Sequence, residues 1–128
     1  MVKIKTVFKT VPEYTRSTAA ILPFLDGWLQ GQEERFIRKV KKIFENSAVD
    51  ERYSIMSPEG VFAATTFEER NGIYIKEGIK LSTKCLTAAL EKAEWPAETI
   101  DYLITVSCTG FMIPSVDAYL INNLNMRR

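Results

Sequence analysis

Two cysteines and a row of cations are the residues of this chain best suited to chemistry. Cys85 and Cys108 are its only thiols, and a thiolate can act as nucleophile or metal ligand. Arg35, Lys39 and Lys42 follow at spacings of four and three, so a helix places them on one ridge. Converging Lys and Arg suit phosphates; the competing reading is a solvated helix face. Arg38 and Lys41 add charge nearby. Histidine is absent. That removes Ser-His-Asp and Cys-His catalysis within this chain, imidazole-bound zinc and a histidine pH switch. Two cysteines fall short of the usual four-ligand metal cluster, so no metal site is expected.

The elements that must position these residues belong to one domain's worth of chain, 128 residues with 46% apolar content. Seventeen Lys and Arg against sixteen Asp and Glu leave a formal charge of +1. Neither nucleic acid nor an anionic membrane is favoured by such a balance. The start, Met1-Val2-Lys3-Ile4-Lys5, alternates charged and apolar residues without a secretory h-region. No apolar run reaches the roughly eighteen residues of a membrane span. A cytoplasmic protein with reduced thiols is expected.

Periodicity predicts a strand over 2–8, then a helix opened by the capping box Thr10-Val11-Pro12-Glu13, with a break or kink near residues 19–22 from Pro23. A helix over 32–45 carries Phe36, Ile37, Val40, Ile43 and Phe44 as its apolar stripe, opposite the cations. Arg52–Met56 reads as a short strand and Ser57-Pro58-Glu59-Gly60 as a turn. Thr66-Phe67-Glu68-Glu69 is a second capping box, opening a helix over 67–93 that Trp95-Pro96 ends. Cys85 lies beside its buried stripe and reads as a small core residue. The β-branched run 102–107 suits a central strand, with Cys108 at its carboxyl end, where ligands gather in open α/β sheets. A last helix is expected over 116–124. The order is that of an α/β layered fold.

One stretch is recognisable. Val106-Ser107-Cys108-Thr109-Gly110-Phe111-Met112-Ile113-Pro114-Ser115-Val116-Asp117-Ala118-Tyr119-Leu120 resembles a signature of type III polyketide synthases, the family of chalcone and stilbene synthases. Asn46–Tyr53 is similar to the family's segment after its second helix, and Thr66–Asn71 to the start of its long helix. The resemblance implies a thiolase-like α/β layered fold, a mixed sheet covered by helices. Residues 1–128 would be the N-terminal portion, ending before the expected catalytic cysteine.

The resemblance further implies a homodimeric acyltransferase that loads an acyl-CoA starter onto a cysteine and extends it with malonyl-CoA by decarboxylative condensation. CoA thioesters are its substrates, and no further cofactor is implied. In the family the nucleophile lies in a Gln-Gly-Cys-type segment, with histidine and asparagine much further on. None of these is present in this chain, so it carries no catalytic residue and is expected to be inactive alone. Cys108 and Thr109 fall on substrate-pocket wall positions. Ile113 falls on an apolar residue that reaches across the dimer interface into the partner's cavity. Lys39 matches a CoA phosphate contact directly. Lys42 stands where the family has arginine, keeping charge without the bidentate fork. Asn46 stands where it has lysine, and Arg35, Arg38 or Lys41 could supply the missing charge. Two alternatives stay open: a β-ketoacyl carrier-protein synthase III or hydroxymethylglutaryl-CoA synthase-like condensing enzyme, and a non-catalytic module that binds CoA or a partner.

Overall fold

The structure is a computed structural model that describes residues 1–63 and 66–127. It separates into two compact units. One comprises residues 12–63, the other residues 1–11 together with 66–127.

In the first unit, β1 (Tyr14–Ser17) pairs antiparallel with β2 (Glu51–Ser54), Tyr14 opposite Ser54 and Arg16 opposite Arg52. The predicted capping box at Thr10–Glu13 therefore opens no helix. Pairing with a segment distant in sequence satisfies the backbone of 14–17 as a strand, and the helix starts later. Ser17 caps α1 (Thr18–Trp28), its hydroxyl accepting from the Ala20 N–H at 3.1 Å. Pro23 lies inside α1, which continues through it rather than breaking. Proline forfeits the bond to the carbonyl four residues back and its ring crowds that carbonyl, and α1 bears both without ending.

Packing joins α1 to α2 (Glu34–Glu45), with Leu25 the buried residue of α1. Ile37, Val40 and Phe44 of α2 are half-buried, whereas Phe36 and Ile43 stay exposed. The expected apolar stripe is thus only partly covered. Ser57-Pro58-Glu59-Gly60 begins the short helix α3 (Pro58–Ala63) instead of a turn. Ser57 Oγ accepts from the Gly60 N–H at 3.2 Å, and proline at the first helical position is the pattern that distinguishes such a start.

The second unit is organised by α4 (Phe67–Ala93), whose bounds match the prediction. Thr66 Oγ1 accepts from the Glu69 N–H at 3.1 Å while the Thr66 N–H donates to Glu69 Oε2 at 3.0 Å, completing the capping box. Glu94, in the left-handed region at φ 55°, ends the helix. A 3-10 turn, Ala97–Thr99, follows, and α5 (Val116–Asn123) packs on α4. Ala93, Leu120 and Met126 form the buried centre here.

Residues 2–8 and 102–107, predicted as strands, join no sheet among the described residues. Over 102–106 exposure nevertheless alternates, although a central strand would be covered on both faces. Leu103 and Thr105 are half-buried, while Tyr102, Ile104 and Val106 are 86–92% exposed. A strand is completed by a neighbouring strand's hydrogen bonds, and among the described residues these segments pair with no strand.

Candidate functional site

The cations of α2 are divided by their partners. Arg38 reaches Glu34 at 3.3 Å, one turn back on the same helix, and Lys41 reaches Asp26 of α1 at 2.6 Å. Arg35, Lys39 and Lys42 make no ion pair among the described residues and are exposed. The ridge read from spacing is therefore the part of the helix whose charge is left uncompensated. Lys41, half-buried, belongs to the packing of α1 on α2. Asn46, at the end of α2, serves as its C-cap residue, its backbone N–H donating to the Lys42 carbonyl at 3.0 Å.

Cys108 and Thr109 lie in the second unit, on the loop leading from 102–107 to α5. Both are exposed, and Cys108 Sγ stands 3.9 Å from Thr109 Oγ1. Ile113, further along this loop, is 80% exposed. A cavity of about 400 Å³ opens beside the loop. Its lining includes Tyr74, Gly78 and Cys85 of α4, with Ser107, Met112 and Leu120. Cys85 is half-buried and faces this cavity, in keeping with a small residue of the helix's inner face. Ser107 and Met112 line the cavity, whereas Cys108–Phe111 between them do not.

Spacing alone did not reveal what holds this loop. Asn71 Nδ2 donates to the Phe111 carbonyl at 2.8 Å, and the Phe111 N–H donates to Asn71 Oδ1 at 2.7 Å. Tyr74 donates its hydroxyl to Ser107 Oγ at 2.8 Å. Ser107 Oγ in turn donates to the Thr109 carbonyl at 2.8 Å and accepts from the Thr109 N–H at 3.2 Å. Gly110, at φ +75°, lies against the Tyr74 ring so closely that a methyl group at its Cα would collide with it. Asn71, Tyr74 and Gly78 recur at helical spacing on one face of α4. A signal did exist: asparagine is a poor choice for a helix interior unless its side chain has work outside the helix.

At the start of α5 the Asp117 carboxyl is held below the ordinary carboxylate range. The Ser115 hydroxyl is the main cause; N-terminal backbone N–H groups and the Thr105 hydroxyl assist, and partial desolvation opposes them. Among the described residues no cluster of His, Cys, Asp or Glu could hold a metal ion, and no helix is long and apolar enough to cross a membrane.

The arrangement of these helices is that of part of a thiolase-like fold. It superposes with a TM-score of 0.81 on the crystal structure of 1,3,6,8-tetrahydroxynaphthalene synthase from Streptomyces coelicolor A3(2), a bacterial type III polyketide synthase. The two are 31% identical, over 91% of this chain and 33% of that one. In sequence the chain is 32% identical to 1,3,6,8-tetrahydroxynaphthalene synthase of Streptomyces griseus over 117 residues, 91% of this chain and 31% of that protein. It is 34% identical to phloroglucinol synthase of Pseudomonas fluorescens over 84 residues, 66% of this chain and 24% of that protein. No family model matches. The chain belongs to the type III polyketide synthase family, and it spans about a quarter to a third of the length of these relatives.

Proposed function

We propose that this chain is the N-terminal part of a type III polyketide synthase, an acyltransferase that condenses an acyl-CoA starter with malonyl-CoA. The likeness to tetrahydroxynaphthalene synthase, over 91% of the chain at a TM-score of 0.81, is the observation that carries this reading. It favours a polyketide synthase over the other condensing enzymes and over a non-catalytic module. The reaction joins two acyl units: malonyl-CoA loses carbon dioxide, the resulting enolate carbon attacks an enzyme-bound thioester, and the cysteine thiolate leaves. The nucleophile and the groups that stabilise the enolate would come from segments not among these 128 residues.

This chain contributes binding and shape. Lys39 and Lys42 hold the CoA phosphates, and their freedom from ion pairs among the described residues supports that role. Arg35, the remaining unpaired cation of the ridge, supplies the charge that Asn46 does not. Cys108 and Thr109 form the substrate-pocket wall, and Ile113 meets the second subunit of a cytoplasmic homodimer. Its 80% exposure in the single chain suits such a contact. CoA thioesters are the substrates, without a further cofactor.

The test is acylation. This chain, incubated with radiolabelled malonyl-CoA and a starter CoA, should form no acyl-enzyme, whereas the complete synthase should form one at a cysteine other than Cys108. Label at Cys108 would overturn its assignment to the wall, and a complete synthase that takes up no malonyl-derived carbon would overturn the function.

A further inference from the structure

We propose that Asn71 is a positioning residue that sets starter selectivity, by fixing where the Cys108–Thr109 wall stands. The proposal rests on the pocket-wall reading given above and adds to it the group that controls the wall. Asn71 is half-buried on the inner face of α4 and lies forty residues before Phe111. Its carboxamide offers one donor and one acceptor to the same residue's backbone, at 2.8 and 2.7 Å. A neighbouring strand would bond the peptide in the same way. Phe111 thereby gains a ladder partner that no sheet provides.

The loop is fastened at a second point one turn further along α4. The Tyr74 hydroxyl binds Ser107 Oγ, which closes on both backbone groups of Thr109. Cys108 is therefore bracketed: residues 107 and 109 are tied to Tyr74, and residue 111 is tied to Asn71. Between these ties, Gly110 takes a left-handed conformation against the Tyr74 ring, which leaves no room for a side chain there. A wall residue held by its neighbours' backbone has one position, and a pocket discriminates between acyl chains only as sharply as its walls are fixed.

Three variants separate the ties. Asn71→Leu removes both bonds to Phe111. Asn71→Asp keeps the acceptor for the Phe111 N–H and sets a carboxylate against the Phe111 carbonyl. Tyr74→Phe keeps the ring against Gly110 and removes the hydroxyl. Amide exchange at Phe111 in this chain should quicken about tenfold or more in Asn71→Leu and change little in Tyr74→Phe. The alkylation rates of Cys108 by a small iodoacetamide and a bulky maleimide should change in ratio in both Asn71 variants.

In the complete synthase, the ratio of kcat/KM for a short against a long acyl-CoA starter should shift at least about fivefold in Asn71→Leu, with the affinity for CoA unchanged. Should Asn71→Leu not fold, Asn71→Asp carries the starter-ratio and Cys108 alkylation measurements, since it disturbs the loop at the Phe111 carbonyl while keeping the Phe111 N–H bonded. Faster exchange at Phe111 with an unaltered starter ratio would reduce Asn71 to a structural residue and overturn the proposal. A wild-type synthase that condenses no starter would overturn the function instead. The Cys108 alkylation ratio would then still decide whether Asn71 positions the wall, an unchanged ratio counting against it.

Discussion

The carboxamide of Asn71 grips both backbone hydrogen-bonding groups of Phe111, so one side chain of α4 does for the 107–111 loop what a paired strand would do. Next to that grip, the Tyr74 ring occupies the space that any side chain at position 110 would need. Gly110→Ala should therefore destabilise the chain by about 2–4 kcal/mol, combining left-handed backbone strain with overpacking against the ring. In a Tyr74→Ala background the same substitution should cost about 1–2 kcal/mol, since the strain remains and the collision does not. Urea unfolding of the four species gives the cycle; equal costs in both backgrounds would mean that the ring does not press on Gly110.

Thr66 begins the longest helix through a reciprocal pair of bonds with Glu69. Thr66→Ala leaves the Glu69 N–H without its acceptor and should lower stability by about 0.5–2 kcal/mol, whereas Thr66→Ser should stay close to wild type. Thermal unfolding followed by far-ultraviolet circular dichroism measures the difference.

Charge reversal on α2 should show the division between paired and unpaired cations. Lys39→Glu and Lys42→Glu should each weaken binding of CoA to the complete synthase by roughly tenfold. Arg38→Glu should change it less, because the Arg38 guanidinium is already engaged by Glu34. Titration calorimetry at two salt concentrations decides: equal losses at all three positions would indicate a general electrostatic field rather than a ridge.

Asp117 makes stability depend on acid. Its carboxyl is held low in the folded chain, chiefly by the Ser115 hydroxyl. The stabilisation is therefore present above the unfolded value of ~3.9 and is lost as pH falls through the lower folded value. Asp117→Asn should lose that part of the acid dependence. Denaturant midpoints between about pH 6 and about pH 3 provide the measurement.

Much of the helical framework was legible because its signals are local. The bounds of α4 followed from a capping box and a Trp-Pro stop, both contained in a few neighbouring residues. The ridge Arg35–Lys39–Lys42 followed from helical spacing alone. The start of α1 was misread for the complementary reason. Thr10–Glu13 fits a helix start, yet the residues that follow, 14–17, pair with 51–54 as a strand. No local pattern reports that competition.

By itself, the sequence determined which residues can form helices, where their charges fall and which chemistries the lack of histidine removes. Those properties depend on residue type and on contacts within a turn or two. Only the tertiary structure decided which cations stay unpaired, because Asp26 reaches Lys41 from a different helix. It also decided the anchoring of the 107–111 loop, because the bonds from Asn71 and Tyr74 join residues that chain folding alone brings within 3 Å. The β-branched run over 102–107 was written in the sequence, but a strand needs a neighbour to donate and accept, and that condition lies outside the segment itself.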